Sequence, residues 1–304
     1  MPKVSVILPF YDRAATLPRC LDSVRAQTFA DWEMLAVDDG SGDGSARVVE
    51  QYGDPRIRVL RHAANRGPGA ARQTGLEAAG GEFIAILDSD DEWLPEKLER
   101  QLATGGDAVS CGYFARQGEK EWIFQHPPVA DWVAHLHFRC MLCAGSTLLA
   151  RRALALEIGG FDPALRFYED WDFVLRLAER APLTMLAEPL ARIHVGGPRS
   201  FVAHEPSVRR FLAKHAAGFL RRGAAHRRRV RAQHLQNLAA GAFAERRFAL
   251  GARWLLESYA AHPLQSPLRL GALALAPVDA LCGTSWIERA AEMLRRPDPA
   301  RPAP

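Results

Sequence analysis

Cysteine is scarce in this sequence. Five in 304 residues is too few and too odd a set for a disulfide scaffold, and is the usage expected of a reducing compartment. Cys140 and Cys143 form a C-x-x-C, but no second pair or histidine cluster completes a tetrahedral zinc site, so the pair reads as two small buried side chains. Long apolar runs are missing too. No window approaches the roughly 20 apolar residues that a bilayer span requires, and the longest candidate, residues 270–278, is short and interrupted by Gly271 and Pro277. The N-terminal MPKVSVILPFYDR lacks the layout of a secretory signal, since its apolar stretch is short and runs into charge without a cleavage site. The expectation is a cytoplasmic protein with no membrane span. A G-x-G-x-x-G behind the first strand is also absent, which argues against a dinucleotide-dependent dehydrogenase.

What is present is enough for a folded enzyme. With 48% hydrophobic residues, a chain of this length can bury one large core and a second, smaller one. The net charge of +4 conceals an asymmetry, because residues 205–231 carry nine Lys/Arg against Glu205 alone. Removing them from the totals of 39 and 35 leaves 30 basic and 34 acidic residues, so the remainder is net acidic.

The first 110 residues alternate short apolar runs with helical patterns. Residues 4–8, 32–37, 57–60 and 83–87 read as strands. Between them, helices are expected after Asp12, which can cap the first, from Ser45, and over 68–79. Leu17, Cys20, Leu21 and Val24 form the inward face of the first helix, and Gly80 and Gly81 stand where a helix C-cap belongs. Such alternation predicts an α/β fold with a mostly parallel sheet flanked by helices. From Glu205 onward the texture is Ala, Arg and Leu at helical spacing. Phe211, Phe219 and Leu220 are expected on one helix face, and residues 246–261 form a further helix with Trp254 and Leu255 inward. A domain over 1–203, a helical region over 204–295 and a disordered tail over 296–304 follow.

In parallel sheets ligands sit at the carboxyl ends of strands, which singles out residues 9–12, 38–43 and 88–91. Asp88-Ser89-Asp90-Asp91 is the sharpest signal. Asp88 and Asp90, two apart at a strand end, can point to one side, and clustered carboxylates suit Mg²⁺ or Mn²⁺ shared with a substrate's phosphates. The competing reading is a solvated acidic turn that caps a helix starting near Trp93. Asp38 and Asp39 end an earlier strand and could accept hydrogen bonds from a nucleobase or ribose; a tight Asp-Gly turn is the alternative. In Asn65-Arg66-Gly67-Pro68-Gly69-Ala70-Ala71-Arg72 the glycines precede a helix whose N–H groups could face an anion, with Arg72 one turn in. Phe167-Tyr168-Glu169-Asp170-Trp171-Asp172 opens a helix. Its carboxylates either cap that helix or, in their aromatic setting, have a pKa raised toward general-base duty.

The series VSVILPFYDR, VDDGS, NRGPGAARQTG, FIAILDSDDEWLP, GGFD and YEDWDFVLRLAER, in this order, resembles the family 2 glycosyltransferases with the GT-A fold, over residues 3 to about 200. The resemblance implies an inverting, metal-dependent transfer of a sugar from a nucleoside-diphosphate donor, UDP being the family's commonest, to a hydroxyl of a glycan or lipid-linked acceptor in cell-surface polysaccharide synthesis. Asp170 falls at the general base. Pro9, Tyr11, Asp39, Asn65, Arg72, Asp88 and Ser89 fall at the nucleotide. Asp90, Asp88 and His194 are implied around a divalent cation (Mn²⁺ or Mg²⁺), and Gly145, Ser146, Glu169 and Trp171 on the acceptor side. Asp12 and Gln73 depart from the family pattern, where many relatives carry Asn. A binding protein that keeps the nucleotide or glycan site without catalysis is the alternative. Residues 205–231 suit an anionic membrane surface, on the inner face of the membrane, or a solvated helix face. They lack the interleaved aromatics of a nucleic-acid binder.

Overall fold

The computed structural model describes residues 1–126, 128–196 and 200–263. The candidate run at 270–278, the tail at 296–304 and the helical expectation beyond 263 lie outside these. The described residues group into two units, one of residues 1–196 and 206–214, the other of 200–205 and 215–263.

The first unit is built on a nine-stranded sheet. Its N-terminal part runs β1 (Val4–Phe10), α1 (Leu17–Arg25), β2 (Trp32–Asp38), α2 (Ser45–Gln51), β3 (Ile57–Arg61), α3 (Pro68–Ala78) and β4 (Phe83–Ile86). There follow β5 (Glu92–Trp93), α4 (Lys97–Ala103), the hairpin β6 (Ala108–Gln117) and β7 (Lys120–Phe124), α5 (Trp132–Leu136), α6 (Ala144–Thr147), β8 (Leu149–Arg151), α7 (Arg152–Glu157), α8 (Glu169–Ala178) and β9 (Leu183–His194). The strand order is β3-β2-β1-β4-β8-β6-β9-β5, with β7 on β6. The β3-β2-β1-β4 half is parallel, as the alternation predicts. Beyond it the sheet is mixed: β8 runs antiparallel to β4 and β6, and β5 antiparallel to β9. The regular strand–helix alternation ends near residue 103, and with it the crossover helices that force parallel pairing.

Register places the site. β1 pairs with β2 from Val4↔Trp32 to Phe10↔Asp38, and with β4 up to Ile7↔Ile86. The acidic segments 38–39 and 88–91 therefore leave the sheet on either side of the carboxyl end of β1. Every residue of β1 is buried, and Leu17, Cys20, Leu21 and Val24 of α1 are fully buried, as their spacing requires. Behind β1, a Cβ on Gly75 would meet Ile7 Cγ2 at 2.5 Å, so α3 lies directly on the strand.

Local expectations are corrected at several points. Asp12 does not cap α1; the helix begins at Leu17, behind Thr16 and with Pro18 in its first turn. Asp12 instead takes φ 50°, and its carboxylate accepts the N–H of Gly42 across the sheet edge (2.8 Å). α3 ends on an extended Ala79, not on a left-handed glycine. Gly81 is needed for proximity, since a Cβ there would lie 2.6 Å from Ser5 N. Trp93 belongs to β5, and the next helix starts only at Lys97.

α9 (Glu205–Lys214) and α10 (Ala216–Arg221) are separate helices. Phe211 and Phe219 are buried in different units and Leu220 is 49% exposed, so these three do not share one face. Residues 206–214 group with the first unit, which the expected single cut near 203 does not capture. Within the second unit, α11 (Ala224–Ala244) and α12 (Phe248–Ala261) pack together. Trp254 is fully buried, Leu255 is half-buried, and Ser258 Oγ donates to the Ala232 carbonyl (3.0 Å).

Replacing Gly81 by Ala should destabilise the protein by about 1–3 kcal/mol, because the added methyl meets backbone that cannot yield cheaply. Gly42→Ala, where a Cβ meets nothing within 4 Å, should change stability by less than about 0.5 kcal/mol. Urea midpoints of the two variants test this.

Candidate active site

Arg72, on the second turn of α3, is 3% exposed. One guanidinium nitrogen donates to Asp88 Oδ1 (2.5 Å) and another bonds Glu169 Oε1. A single buried cation thus links α3, the loop after β4 and the first turn of α8. Close approach makes this possible. A Cβ on Gly69 would meet the Asp162 carbonyl at 2.9 Å, and one on Gly145 would meet Asp88 Oδ2 at 2.3 Å. Burial pushes the Glu169 carboxyl up to about 7, against the pull of Arg72 and with the help of Asp170's charge. Asp170 is raised for the same reason, burial, with Arg72 opposing and Asp88 adding to it. Its Oδ1 accepts only the N–H of Trp171 (2.8 Å) from the described residues.

The expected site residues divide into two groups. Arg72, Asp88, Gly145, Ser146, Glu169 and Asp170 come together around the guanidinium. Ser146 Oγ bonds the Asp88 N–H (3.1 Å) and donates to Asp91 Oδ2 (2.6 Å), and Asp91 Oδ1 accepts the His194 N–H (2.8 Å). His194 joins through this backbone link, while its ring pairs with Glu92 (2.7 Å). Asp91 is buried and its pKa is well raised, by burial and then by the charges of Asp88 and Asp90.

The strand-period argument for Asp88 and Asp90 does not hold, because β4 ends at Ile86 and residues 88–91 close a turn (Asp91 N–H to Asp88 carbonyl, 3.0 Å). Asp88 turns to Arg72, whereas the half-buried Asp90 carboxylate accepts no hydrogen bond from a described residue. Arg19 secures the turn from behind by donating to the Asp90 carbonyl (2.6 Å), and Thr16 does so at the carbonyl of the buried Ser89 (2.8 Å). Among the described residues no three His, Cys, Asp or Glu side chains surround a common metal position. By its chemistry the Asp90 carboxylate, which no described residue hydrogen-bonds, suits a divalent cation that draws other ligands from phosphate oxygens and water.

The second group lies at the ends of β1, β2 and β3. Asp39 is 3% exposed and accepts three hydrogen bonds: from the Arg66 N–H (2.9 Å), the Gly67 N–H (2.8 Å) and His62 Nδ1 (2.7 Å). About one lone-pair site of the carboxylate is left for another donor. His62 Nε2 meets Thr74 Oγ1 (2.9 Å), so this imidazole braces the 65–67 loop against α3. The sequence reading missed it, although its place just after β3, on the edge shared with Asp39, was a usable signal. Gly40, at φ 84°, has the Ala64 backbone 2.9 Å from where a Cβ would stand. Pro9 pairs with Val37 inside the sheet, and Asn65 makes one long contact with Arg166 (3.5 Å). Tyr11 remains 44% exposed just past β1.

Two expected acceptor-side residues are also bonded within the fold. Glu169 is buried as a partner of Arg72. Trp171 turns inward: its indole N–H donates to the Leu136 carbonyl (2.6 Å), and its ring stacks on Tyr168 (4.6 Å). Asp172 serves a separate buried ion network with Arg176 and Lys214.

The family described as Glycosyl transferase family 2 matches residues 5–150. An uncharacterized glycosyltransferase of Haemophilus influenzae (strain ATCC 51907 / DSM 11121 / KW20 / Rd) is 30% identical over 66% of this chain and 71% of its own. The UDP-Glc:alpha-D-GlcNAc-diphosphoundecaprenol beta-1,3-glucosyltransferase WfgD of Escherichia coli is 43% identical, but over only 33% of this chain and 40% of its own length. Among solved structures, S. aureus TarS 1–349 in complex with UDP-GlcNAc matches with a TM-score of 0.60 at 18% identity, over 84% of this chain and 89% of that one. The mannosyltransferase PcManGT from Pyrobaculum calidifontis, in complex with GDP-Man and Mn²⁺, gives 0.52 at 20% identity, over 96% and 79%. At these identities the structural likeness is one of fold, the GT-A fold.

Arg72→Ala leaves two carboxylates facing each other without their cation, and should cost about 3–5 kcal/mol, as breaking other buried ion pairs does. The double variant Arg72→Met/Glu169→Gln should recover part of that loss. Chemical denaturation of both, in one buffer, is the measurement.

Proposed function

The chain belongs to glycosyl transferase family 2, and from that premise we propose that it moves a sugar from a nucleoside-diphosphate donor, UDP-linked by preference, to a hydroxyl of a glycan or lipid-linked acceptor, with inversion. The observation that carries this is the placement of Asp170, a carboxylate of raised pKa with no cationic side chain bonded to it, in the same cluster as Asp88. The names of WfgD and TarS support a sugar-nucleotide donor, and that of WfgD an acceptor sugar linked through diphosphate to a lipid. Asp170 removes the proton from the acceptor hydroxyl as that oxygen attacks the anomeric carbon. Burial keeps its carboxylate basic enough for that, while the nearby Arg72 charge keeps it from staying protonated. Ser146 Oγ accepts the Asp88 N–H, and Gly145 leaves room for the Asp88 carboxylate. Tyr11 offers a ring face for the nucleobase, and Asp39 its remaining acceptor site. Asp90 and Asp88, with His194 nearby, would hold Mn²⁺ or Mg²⁺, and the bound cation would supply charge neutralisation for the diphosphate; PcManGT, bound to GDP-Man and Mn²⁺, supports such a cation.

The second unit carries Arg221, Arg222, Arg227, Arg228, Arg229 and Arg231, all exposed. No helix among the described residues is long and apolar enough to cross a membrane. The reading favoured here is a peripheral contact with an anionic membrane surface, where lipid-linked acceptors are found.

Calorimetric titration of UDP, GDP and dTDP should show metal-dependent binding of one nucleotide that is lost in Asp90→Ala. Asp170→Asn should bind that nucleotide normally and turn over about 10²-fold or more slower. Because only the ionised Asp170 accepts a proton and its pKa is raised, wild-type kcat/KM should begin to fall with acidification above the ordinary carboxylate range. No nucleotide binding by a folded protein would move the non-catalytic binding reading to the front.

Cosedimentation with phosphatidylglycerol vesicles should be seen at low salt and decline as salt rises. Its absence at every salt concentration removes the membrane contact.

A further inference from the structure

Outside the charged cluster, the first unit carries a continuous row of aromatic and imidazole rings on β6, β7 and α5. Tyr113 stacks on Phe124 (centroids 5.1 Å, planes 1° apart) and meets His126 at 6.3 Å; His126 meets Trp132 edge-on at 6.0 Å, and Trp132 meets His135 at 5.4 Å. Spacings of this kind also occur in small sealed cores. This row is not sealed. Phe124, His126, Trp132 and His135 are each half-buried, and polar ring atoms on three of them are left to other partners. His126 Nε2 is a buried nitrogen with no hydrogen-bond partner, and neither the Trp132 indole N–H nor the His135 ring bonds a described residue. A buried polar atom left unpaired costs stability unless something else satisfies it.

Two tethers join the row to the reacting groups. Trp171, next to Asp170, holds the α5 carbonyl of Leu136 (2.6 Å). At the other end Tyr113 donates to the Met141 carbonyl (3.2 Å) and touches the thiol of Cys143, two residues before the Gly145 that packs on Asp88. The scaffold is fixed: Asp131 caps α5 through the Ala134 N–H (2.9 Å), and the β6–β7 hairpin is paired from Tyr113↔Phe124 to Gln117↔Lys120. Burial lowers the pKa of both His126 and His135, aided by His135 and Arg139 respectively, so the rings are uncharged near neutral pH. Ring faces edged by neutral donors and acceptors match one ligand chemistry, a pyranose with apolar C–H faces and a rim of hydroxyls.

We propose that Phe124, His126, Trp132 and His135 form a carbohydrate-stacking ledge that binds a sugar ring of the acceptor. This rests on the glycosyltransferase reading for the word acceptor, but not for the binding itself. Trp132 supplies the stacking face, and the His126 and His135 nitrogens hydrogen-bond the rim.

The test is saturation-transfer NMR on the full chain with methyl glycosides of glucose, galactose, mannose and N-acetylglucosamine. Glycerol serves as a ringless polyol control, and UDP binding is followed by calorimetry in parallel. At least one glycoside should bind, about tenfold more weakly in Trp132→Ala, with affinity largely restored in Trp132→Tyr and UDP binding unchanged. Equal binding by wild type and Trp132→Ala, or no glycoside binding by a protein that does bind UDP, overturns the ledge. Glycoside binding that depends on Trp132 in a protein that ignores UDP, GDP and dTDP alike would instead sink the donor reading and leave the ledge standing. Should Trp132→Ala fail to fold, His135→Ala reads the same rim, and unchanged glycoside binding there overturns the proposal.

Discussion

A guanidinium that is 3% exposed must find its counter-charges inside the protein, and Arg72 finds them on two elements far apart in sequence, Asp88 after β4 and Glu169 at the head of α8. Much else follows from that demand. α3 has to approach the 162–169 segment closely, which the missing side chain of Gly69 allows. The loop before β8 has to approach Asp88 closely, which Gly145 allows. The Coulombic attraction is large because the surroundings are dry, and for the same reason a missing partner would be costly. Asp170, bonded to no cation itself, experiences the same field at a distance, and this leaves it raised but usable as a base.

The chain accepts local strain to build this arrangement. Among the described residues of the first unit, the non-glycine residues with positive φ are Asp12, Cys143 and Tyr168. Each borders the site: Asp12 at the end of β1, Cys143 before Gly145 and Tyr168 before Glu169. Left-handed conformations cost a non-glycine residue on the order of 1–3 kcal/mol each, and a surrounding structure that over-determines them must offset this. Around Tyr168 it does so with the stack on Trp171, the edge of Phe211, and the ion network of Asp172, Arg176 and Lys214. Residues 206–214 thus act as part of the first unit, and two of the basic residues that look like surface charge in the sequence, Arg210 and Lys214, pair with Asp162.

Much of the fold was legible in the residues themselves. Short apolar runs and the 3.6-residue period located the four parallel strands and their helices, because those elements are stabilised by burying their own apolar residues. The motif residues were legible because they follow strands, and strand ends face one edge. Less accessible were the choices made by partners from elsewhere. Asp12 looked like a helix cap until Gly42 took its carboxylate. Gly81 looked like part of a helix C-cap until Ser5 stood beside it. The bond from the Trp171 indole N–H to the Leu136 carbonyl had no signal in the sequence. His62 carried no motif beyond its place after β3, and the pairing with Asp39 reveals its use.

What the sequence by itself determined, then, is the set of elements, the parallel half of the sheet and the acidic and glycine-rich segments at its carboxyl edge, because these depend on neighbours within a few residues. The tertiary structure alone decided which carboxylate meets which cation. It divided Glu169, Asp170 and Asp172, within four consecutive residues, among an ion pair, a candidate base and a separate packing network. It also set the rings of β6, β7 and α5 in one row. The physical reason is range: hydrophobic period is a local property of the chain, whereas desolvation and charge pairing depend on whatever the fold brings within a few ångströms.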